Sequence, residues 1–319
     1  MPKVQFFTVD EGSEDQRLDN FLIKQLKGVP KTLVYRIIRS GEVRVNKGRA
    51  SADSRVQLGD EVRVPPLRVS ETGSDAGEAP VPGREFPVLF EDDHVLAINK
   101  PAGVAVHGGS GVSFGVIEQL RAARPSAKFL ELVHRLDKET SGILLVAKKR
   151  SALTKLQDQF RERETGKTYA ALVTGDWPAS LKVIDVALHK YLDAQGERRV
   201  RAVDADHADG RRSISLVKVA RRYGDFSLLD VTIKTGRTHQ IRVHLQHSGH
   251  PIVGDDKYGD FALNKRMARG EVADVRFERM FLHARQLSFQ HPLTGETIEL
   301  QAPLTAECES ILAALASRA

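Results

Sequence analysis

Four stretches of this 319-residue chain gather side chains whose types and spacing could do chemistry. In ELVHRLDKETSGILLVAKK, His134, Arg135, Asp137, Lys138, Glu139, Thr140 and Ser141 share one loop between two apolar runs. Loops carried on rigid strands are where reactive groups concentrate, although an aspartate followed by Thr-Ser also makes an ordinary Asx-type turn. KTGRTHQIRVHLQHSGHPIVGDDKYG, residues 234–259, bunches Arg237, His239, Arg242, His244, His247 and His250. Four histidines raise the question of a metal, but no H-E-x-x-H occurs and no carboxylate has the matching spacing. The expectation is no metal site, with these residues capping a helix and meeting phosphate. In NKPAGVAVHGGSG, residues 99–111, Lys100-Pro101 and glycines around His107 break a strand into a turn. It has neither the P-loop pattern nor G-x-G-x-x-G, so a turn lining a cleft is expected rather than a nucleotide cradle. In GKTYAALV, Tyr169 sits on an apolar strand, where a tyrosine is most often packing.

The elements that must hold these residues divide the chain in two. RLDNFLIKQL sets Leu18, Phe21, Leu22 and Leu26 on one helical face. KTLVYRIIRSG does the same with Leu33, Val34, Ile37 and Ile38, and Gly41 is a natural C-cap. VRVNKGRA then alternates around a turn signal, and a second turn and strand end at Pro65-Pro66. Residues 17–68 carry 12 Lys and Arg against 5 Asp and Glu, while the rest of the chain carries 36 against 37. The basic excess is therefore local. A basic helix pair on a glycine-turn hairpin resembles the αL-type RNA-binding domain of a small-subunit ribosomal protein, and the resemblance implies phosphate contacts from Lys31, Arg36, Arg39 and Lys47. The expected division is an RNA-binding domain over 1–68, a Gly/Pro/Ser-rich linker over 69–85, and a catalytic domain over 86–319.

In that larger part, strand-like runs (PVLF, HVLAIN, GILLVA, TYAALV, FSLLDVTI, QLSF, TIELQAP) alternate with three helix-like runs. Short turns such as EDDH and PLTGE join several of them, which favours antiparallel pairing and an α+β fold over a doubly wound parallel sheet. Hydrophobic residues at 41% and charged residues at 28% exclude a disordered or fibrous chain. The acidic start, without an apolar run, argues against a signal peptide, and no stretch reaches the roughly 20 apolar residues of a membrane helix. The one cysteine, Cys308, permits no internal disulfide. A cytoplasmic monomer is expected.

Taken together and in order, NKPAGVAVH, HRLDKETSG, KTYAALV and TGRTHQIRVH resemble the defining motifs of the RluA-type pseudouridine synthases, and the resemblance runs from residue 86 to about 305. It implies a mainly antiparallel, mixed-sheet catalytic domain that isomerises uridine to pseudouridine in RNA without a cofactor. The reaction breaks the N1–C1′ glycosidic bond, turns the uracil and rejoins it through C5. The resemblance further implies that Asp137 is the catalytic carboxylate, Arg237 its salt-bridge partner and Tyr169 the residue against the uracil. Arg135 is a candidate wedge or phosphate contact for an extruded nucleotide, and His134, His107 and Arg242 are further candidate RNA contacts. The implied partner is large-subunit (23S) ribosomal RNA at several uridines. A tRNA-directed synthase and a non-catalytic assembly factor are the alternatives, while a glycoside hydrolase would need a second carboxylate.

Overall fold

The computed structural model describes residues 3–26, 28–67, 81–108 and 114–318. Its contacts form two units, Met1–Val81 and Pro82–Ala319.

The first unit contains β1 (Gln5–Thr8), α1 (Leu18–Gln25), α2 (Lys31–Arg39), β2 (Arg44–Val45) and β3 (Glu61–Val64). Leu18, Phe21 and Leu22 of α1 and Val34, Ile37 and Ile38 of α2 are buried against Val62 and Val64 of the sheet, as their spacing predicts. The sheet itself differs from the expected hairpin. Its order is β1-β3-β2, all antiparallel, so β2 pairs with β3 across a long connection rather than with the residues just after it. Asn46 and Lys47 are both left-handed and make only a tight reversal, closed by a Val45–Gly48 bridge. Lys31, Arg36, Arg39 and Lys47 are all exposed.

The second unit runs β4 (Val88–Glu91), β5 (Val95–Lys100), α3 (Val116–Ala123), β6 (Glu131–Leu132), β7 (Ser141–Ala147), α4 (Arg150–Glu162) and β8 (Gly166–Thr174). It continues through β9 (Val183–Asp185), β10 (Ala187–Leu192), β11 (Arg198–Val203), β12 (Ile214–Tyr223), β13 (Phe226–Ile233), α5 (Gln240–His247) and α6 (Phe261–Ala268). It ends with β14 (Leu282–Gln290), β15 (Thr297–Gln301) and α7 (Ala306–Ala316). Ten strands form one sheet along the path β4-β5-β7-β14-β8-β13-β12-β9, with β15 on β14 and β6 on β7. Every pairing is antiparallel except β7 with β14. All seven residues of β7 are buried, so this strand reads as a continuous apolar run with helices over both faces.

The parallel pairing explains the glycine after Thr140-Ser141. Gly142 has φ +109°, and a Cβ there would fall 2.3 Å from the Ala284 carbonyl oxygen, so only glycine lets β7 and β14 meet beside the Asp137 loop. The segment 191–212, which shows no strong pattern, supplies the turn and second strand of the β10–β11 hairpin, a separate two-stranded sheet. The end of the expected linker is also structured: Arg84 N–H donates to the Gln119 carbonyl (3.2 Å), and Arg124 holds Glu85 through two nitrogens, at 2.8 and 2.9 Å. Residues 69–80 of that linker lie outside the described residues.

Candidate active site

The three motif segments converge on one cleft, lined among others by Arg135, Asp137, Thr140, Tyr169, Arg237, His239 and Arg242. The Asp137 loop joins β6 to β7. Two cationic side chains fasten it from behind, Lys100 and Arg279. Lys100, fully buried, donates from Nζ to the carbonyls of Pro101 and Val104 (2.8 Å each) and of Lys138 (3.0 Å), tying the NKPAG turn to this loop. Burial pushes the Lys100 amine down to about 7. Arg279 donates to Ser141 Oγ (2.8 Å), which also contacts His283 Nδ1 (2.9 Å).

Across the cleft, α5 starts at Gln240, whose buried amide satisfies all its partners. It accepts from Thr235 Oγ1 (2.7 Å) and Arg237 N–H (3.1 Å) and donates to the Ile214 carbonyl (3.0 Å) and Ser215 Oγ (3.1 Å). This clamps the TGRTH loop to β12. Arg242 then falls in the first turn of α5, facing inward. Its Nε and Nη2 grip Asp255 bidentately at 2.7 and 2.6 Å, Nη2 also reaches Asp256 (3.1 Å), and Nη1 reaches Asp137 Oδ2 at 3.4 Å. Arg242 and Asp255 side chains are 4% and 1% exposed. Burial opposes both charges, yet mutual pairing dominates: Asp255 is held below the usual carboxylate range and the guanidinium above its own.

In this structure the arginine that reaches Asp137 is Arg242 and not Arg237. Arg237 lines the same cleft but is exposed, and among the described residues its guanidinium makes no ion pair; Arg242 takes that place. Arg242, also expected to meet RNA phosphate, has a side chain only 4% exposed, and its donors go to Asp255, Asp256 and Asp137. Arg135 is exposed at the cleft, with no ion pair among the described residues. Its neighbour His134 does not line the cleft: the ring stacks on Phe160 (centroids 4.7 Å apart), Nε2 accepts the Leu145 N–H (3.1 Å), and burial pushes the imidazole down to about 4. The ring packs on α4, away from the cleft-lining residues. His107 is exposed in the turn after β5, bonded to the Gly108 carbonyl (2.9 Å), and does not line the cleft either. The glycine-rich segment at 109–113 lies outside the described residues.

Tyr169 of β8 sits in register with Val231 and Ala284, its ring half-buried between two apolar clusters. Burial and the Asp137 charge push its phenol well up, so it is neutral at working pH. His244, another of the four histidines, is fully buried on Ser213 and Ser215 and is pushed down to about 4 by burial. One acid–histidine trio exists among the described residues, Asp92, His94 and His291, elsewhere on the chain. His291 Nδ1 accepts the Thr294 N–H (3.1 Å), which leaves Nε2 to donate to Asp92 (2.7 Å); a metal would have to displace that bond.

Asp255, Asp256 and Tyr258 escaped sequence reasoning although they stand in the quoted 234–259 stretch. The signal was there: a Gly-Asp-Asp thirteen residues after Arg242 offers a buried arginine the carboxylates it requires. The resulting site has a carboxylate open to the cleft at one oxygen and fixed at the other, an aromatic wall, and free arginines at the rim. That is what chemistry on a single extruded nucleotide requires.

Comparison with known proteins agrees with this geometry. Residues 94–247 match the family described as RNA pseudouridylate synthase, and residues 16–62 match the S4 domain. The chain is 50% identical to ribosomal large subunit pseudouridine synthase C of Pasteurella multocida, over 98% of this chain and 94% of that one. It is 48% identical to the protein of the same name from Salmonella typhi, over 100% and 98%, and 49% identical to that of Escherichia coli K12, over 95% and 94%. Among solved structures, human RNA pseudouridylate synthase domain containing 4 aligns with a TM-score of 0.59 at 26% identity, over 72% of this chain and 93% of that one. The chain belongs to the RluA-type RNA pseudouridylate synthases, with an S4 domain ahead of the synthase domain.

Proposed function

We propose that this enzyme converts several uridines of large-subunit ribosomal RNA to pseudouridine, acting as a cytoplasmic monomer with Asp137 as its catalytic carboxylate. The observation that carries the site assignment is the asymmetric holding of Asp137. Arg242 Nη1 fixes Oδ2, and Oδ1 has no hydrogen-bond partner among the described residues, so one oxygen is presented to the ribose. Near-identity in length and about half-identity in sequence to the large-subunit synthases support the choice of ribosomal over transfer RNA. Among the described residues, no helix is long and apolar enough to cross a membrane.

The isomerisation is intramolecular. The N1–C1′ bond breaks, a C5–C1′ bond forms, C5 loses a proton and N1 gains one. Asp137 acts at the sugar, and Tyr169 offers its ring to the face of the uracil. Because the target nucleotide must leave its stack, the exposed Arg135 and Arg237 serve the flanking RNA: Arg135 fills the vacated position or grips a phosphate, and Arg237 pairs with phosphate. Arg237→Ala is therefore expected to raise KM several-fold and reduce the salt slope of binding by about one, with kcat nearly unchanged. A kcat loss with unchanged KM would return Arg237 to the chemistry.

The S4 unit supplies grip. Its exposed Lys31, Arg36, Arg39 and Lys47 make phosphate contacts that carry charge and little sequence information. Removing residues 1–80 is expected to leave a folded synthase that binds ribosomal RNA more weakly and with a shallower dependence of log Kd on log salt. Filter binding at 50–300 mM salt, roughly the range where such contacts are screened, tests this; an unchanged slope would show that the unit does not hold RNA.

A further inference from the structure

The loop before α5 contains a residue the reaction scheme above leaves unused. His239 is the N-cap of α5, held left-handed at φ 53°, yet its side chain makes no capping bond. Left-handed backbone is uncommon for a side-chain-bearing residue and marks sites where the surroundings over-determine the conformation. Here it turns the imidazole into the cleft, where Nε2 lies 3.9 Å from Asp137 Oδ2.

The other ring nitrogen is fixed from outside. His239 Nδ1 is 2.8 Å from Tyr258 Oη, and that oxygen accepts the Val200 N–H at 3.0 Å. Satisfying the chain in one direction makes Tyr258 the donor to Nδ1, which assigns the imidazole proton to Nε2, on the Asp137 side. Tyr258 is itself seated by the Arg242 guanidinium over its ring, 5.1 Å from the centroid. The Val200 that anchors the chain belongs to the β10–β11 hairpin, whose Leu188 and Val200 pack on Val243 of α5. The β10–β11 hairpin is thus linked to the Asp137 carboxylate through two side chains. Burial keeps the imidazole neutral, consistent with a donor rather than a second cation.

We propose that His239 is a positioning residue for Asp137: oriented by Tyr258, its Nε2–H closes on Oδ2 when a uridine fills the cleft, so that Oδ2 is held by two donors and Oδ1 alone faces the ribose. At 3.9 Å the contact is open in the unliganded enzyme, as catalytic hydrogen bonds commonly are before substrate arrives. The proposal rests on Asp137 being the catalytic carboxylate.

The test is a double-mutant cycle on the full-length enzyme acting on ribosomal RNA. His239→Asn tolerates the left-handed backbone but is too short to reach Oδ2; kcat is expected to fall about 10- to 100-fold with KM within about twofold. Tyr258→Phe keeps the ring beneath Arg242 and removes the orienting hydroxyl, and kcat is expected to fall a few-fold to about tenfold. His239→Gln, whose amide nitrogen reaches the Nε2 position, should recover part of the Asn variant's loss. The double variant His239→Asn/Tyr258→Phe should be no slower than His239→Asn alone, because Tyr258 acts through His239. Multiplicative losses in the double variant, a change confined to KM, or full activity in His239→Asn would each overturn the proposal. Asp137→Asn separates the two readings: if it is active the catalytic assignment itself fails, and if it is dead while His239→Asn runs at full speed only the positioning role fails.

Discussion

Asp137→Asn is expected to bind ribosomal RNA with an affinity within about threefold of wild type and to form no detectable pseudouridine, a loss of at least about a thousandfold, or roughly 4 kcal/mol of barrier. The change is nearly isosteric, and Asp137 is only one of three carboxylates around Arg242, the other two being Asp255 and Asp256. The bidentate Arg242–Asp255 pair stays intact in the variant, so the fold and the cleft are preserved. What disappears is the negative charge and the acceptor oxygen facing the sugar. Pseudouridine is measured by chemical mapping of the modified RNA, and binding by filter retention at fixed salt. Turnover near wild type would remove Asp137 from the chemistry. Lost binding would instead make it a structural residue.

The parts of this molecule that could be read from its sequence are those whose information is local. The apolar faces of α1 and α2 follow from helical spacing, and β7 and β8 from short apolar runs bounded by turns. The residues that meet at the cleft could be named because each stands in a compact motif. What those motifs could not convey was which of two neighbours points inward. Arg237 and Arg242 are five residues apart, and only the start of α5 at Gln240 decides that Arg237 lies in the preceding loop and Arg242 in the first buried turn. His134 and Arg135 are adjacent in the bend after β6, where no regular period assigns a side: the histidine packs on Phe160 and the arginine is exposed. The β10–β11 hairpin was hidden because its few buried residues, Leu188 and Val200 among them, are scattered through charged sequence and are covered by α5 rather than by one another. The parallel β7–β14 pairing joins residues some 140 positions apart, from His283 to Ser141, and no local pattern encodes it.

Arg242 carries the largest expected effect on stability, because its loss strands a buried charge. With Arg242→Met the Asp255 carboxylate, 1% exposed, keeps its backbone donors at Lys257 and Tyr258 but loses both bidentate bonds. Breaking a buried pair from one side costs about 3–5 kcal/mol, which for a domain of this size lowers Tm by roughly 6–20 °C. The sign of the pH dependence follows from the carboxylate. In the wild type Asp255 is held below its ordinary range despite burial, so its contribution is present above about pH 4 and is lost as the pH falls further. Without Arg242 the remaining influence of burial is to raise it. The charge then destabilises the fold at neutral pH, and the deficit should shrink as acid protonates the group. Differential scanning calorimetry at pH 7 and pH 4.5 should show the gap between variant and wild type narrowing on acidification; a gap that is absent, or that widens, would show that Asp255 does not depend on this arginine. Adding Asp255→Asn to Arg242→Met removes the stranded charge and should recover much of the lost Tm. It should not recover turnover, because Asp137 would still lack the Nη1 donor that fixes Oδ2. Recovery of both together would mean that Arg242 serves catalysis only by keeping the domain folded, whereas recovery of stability alone identifies it as the group that aims the carboxylate.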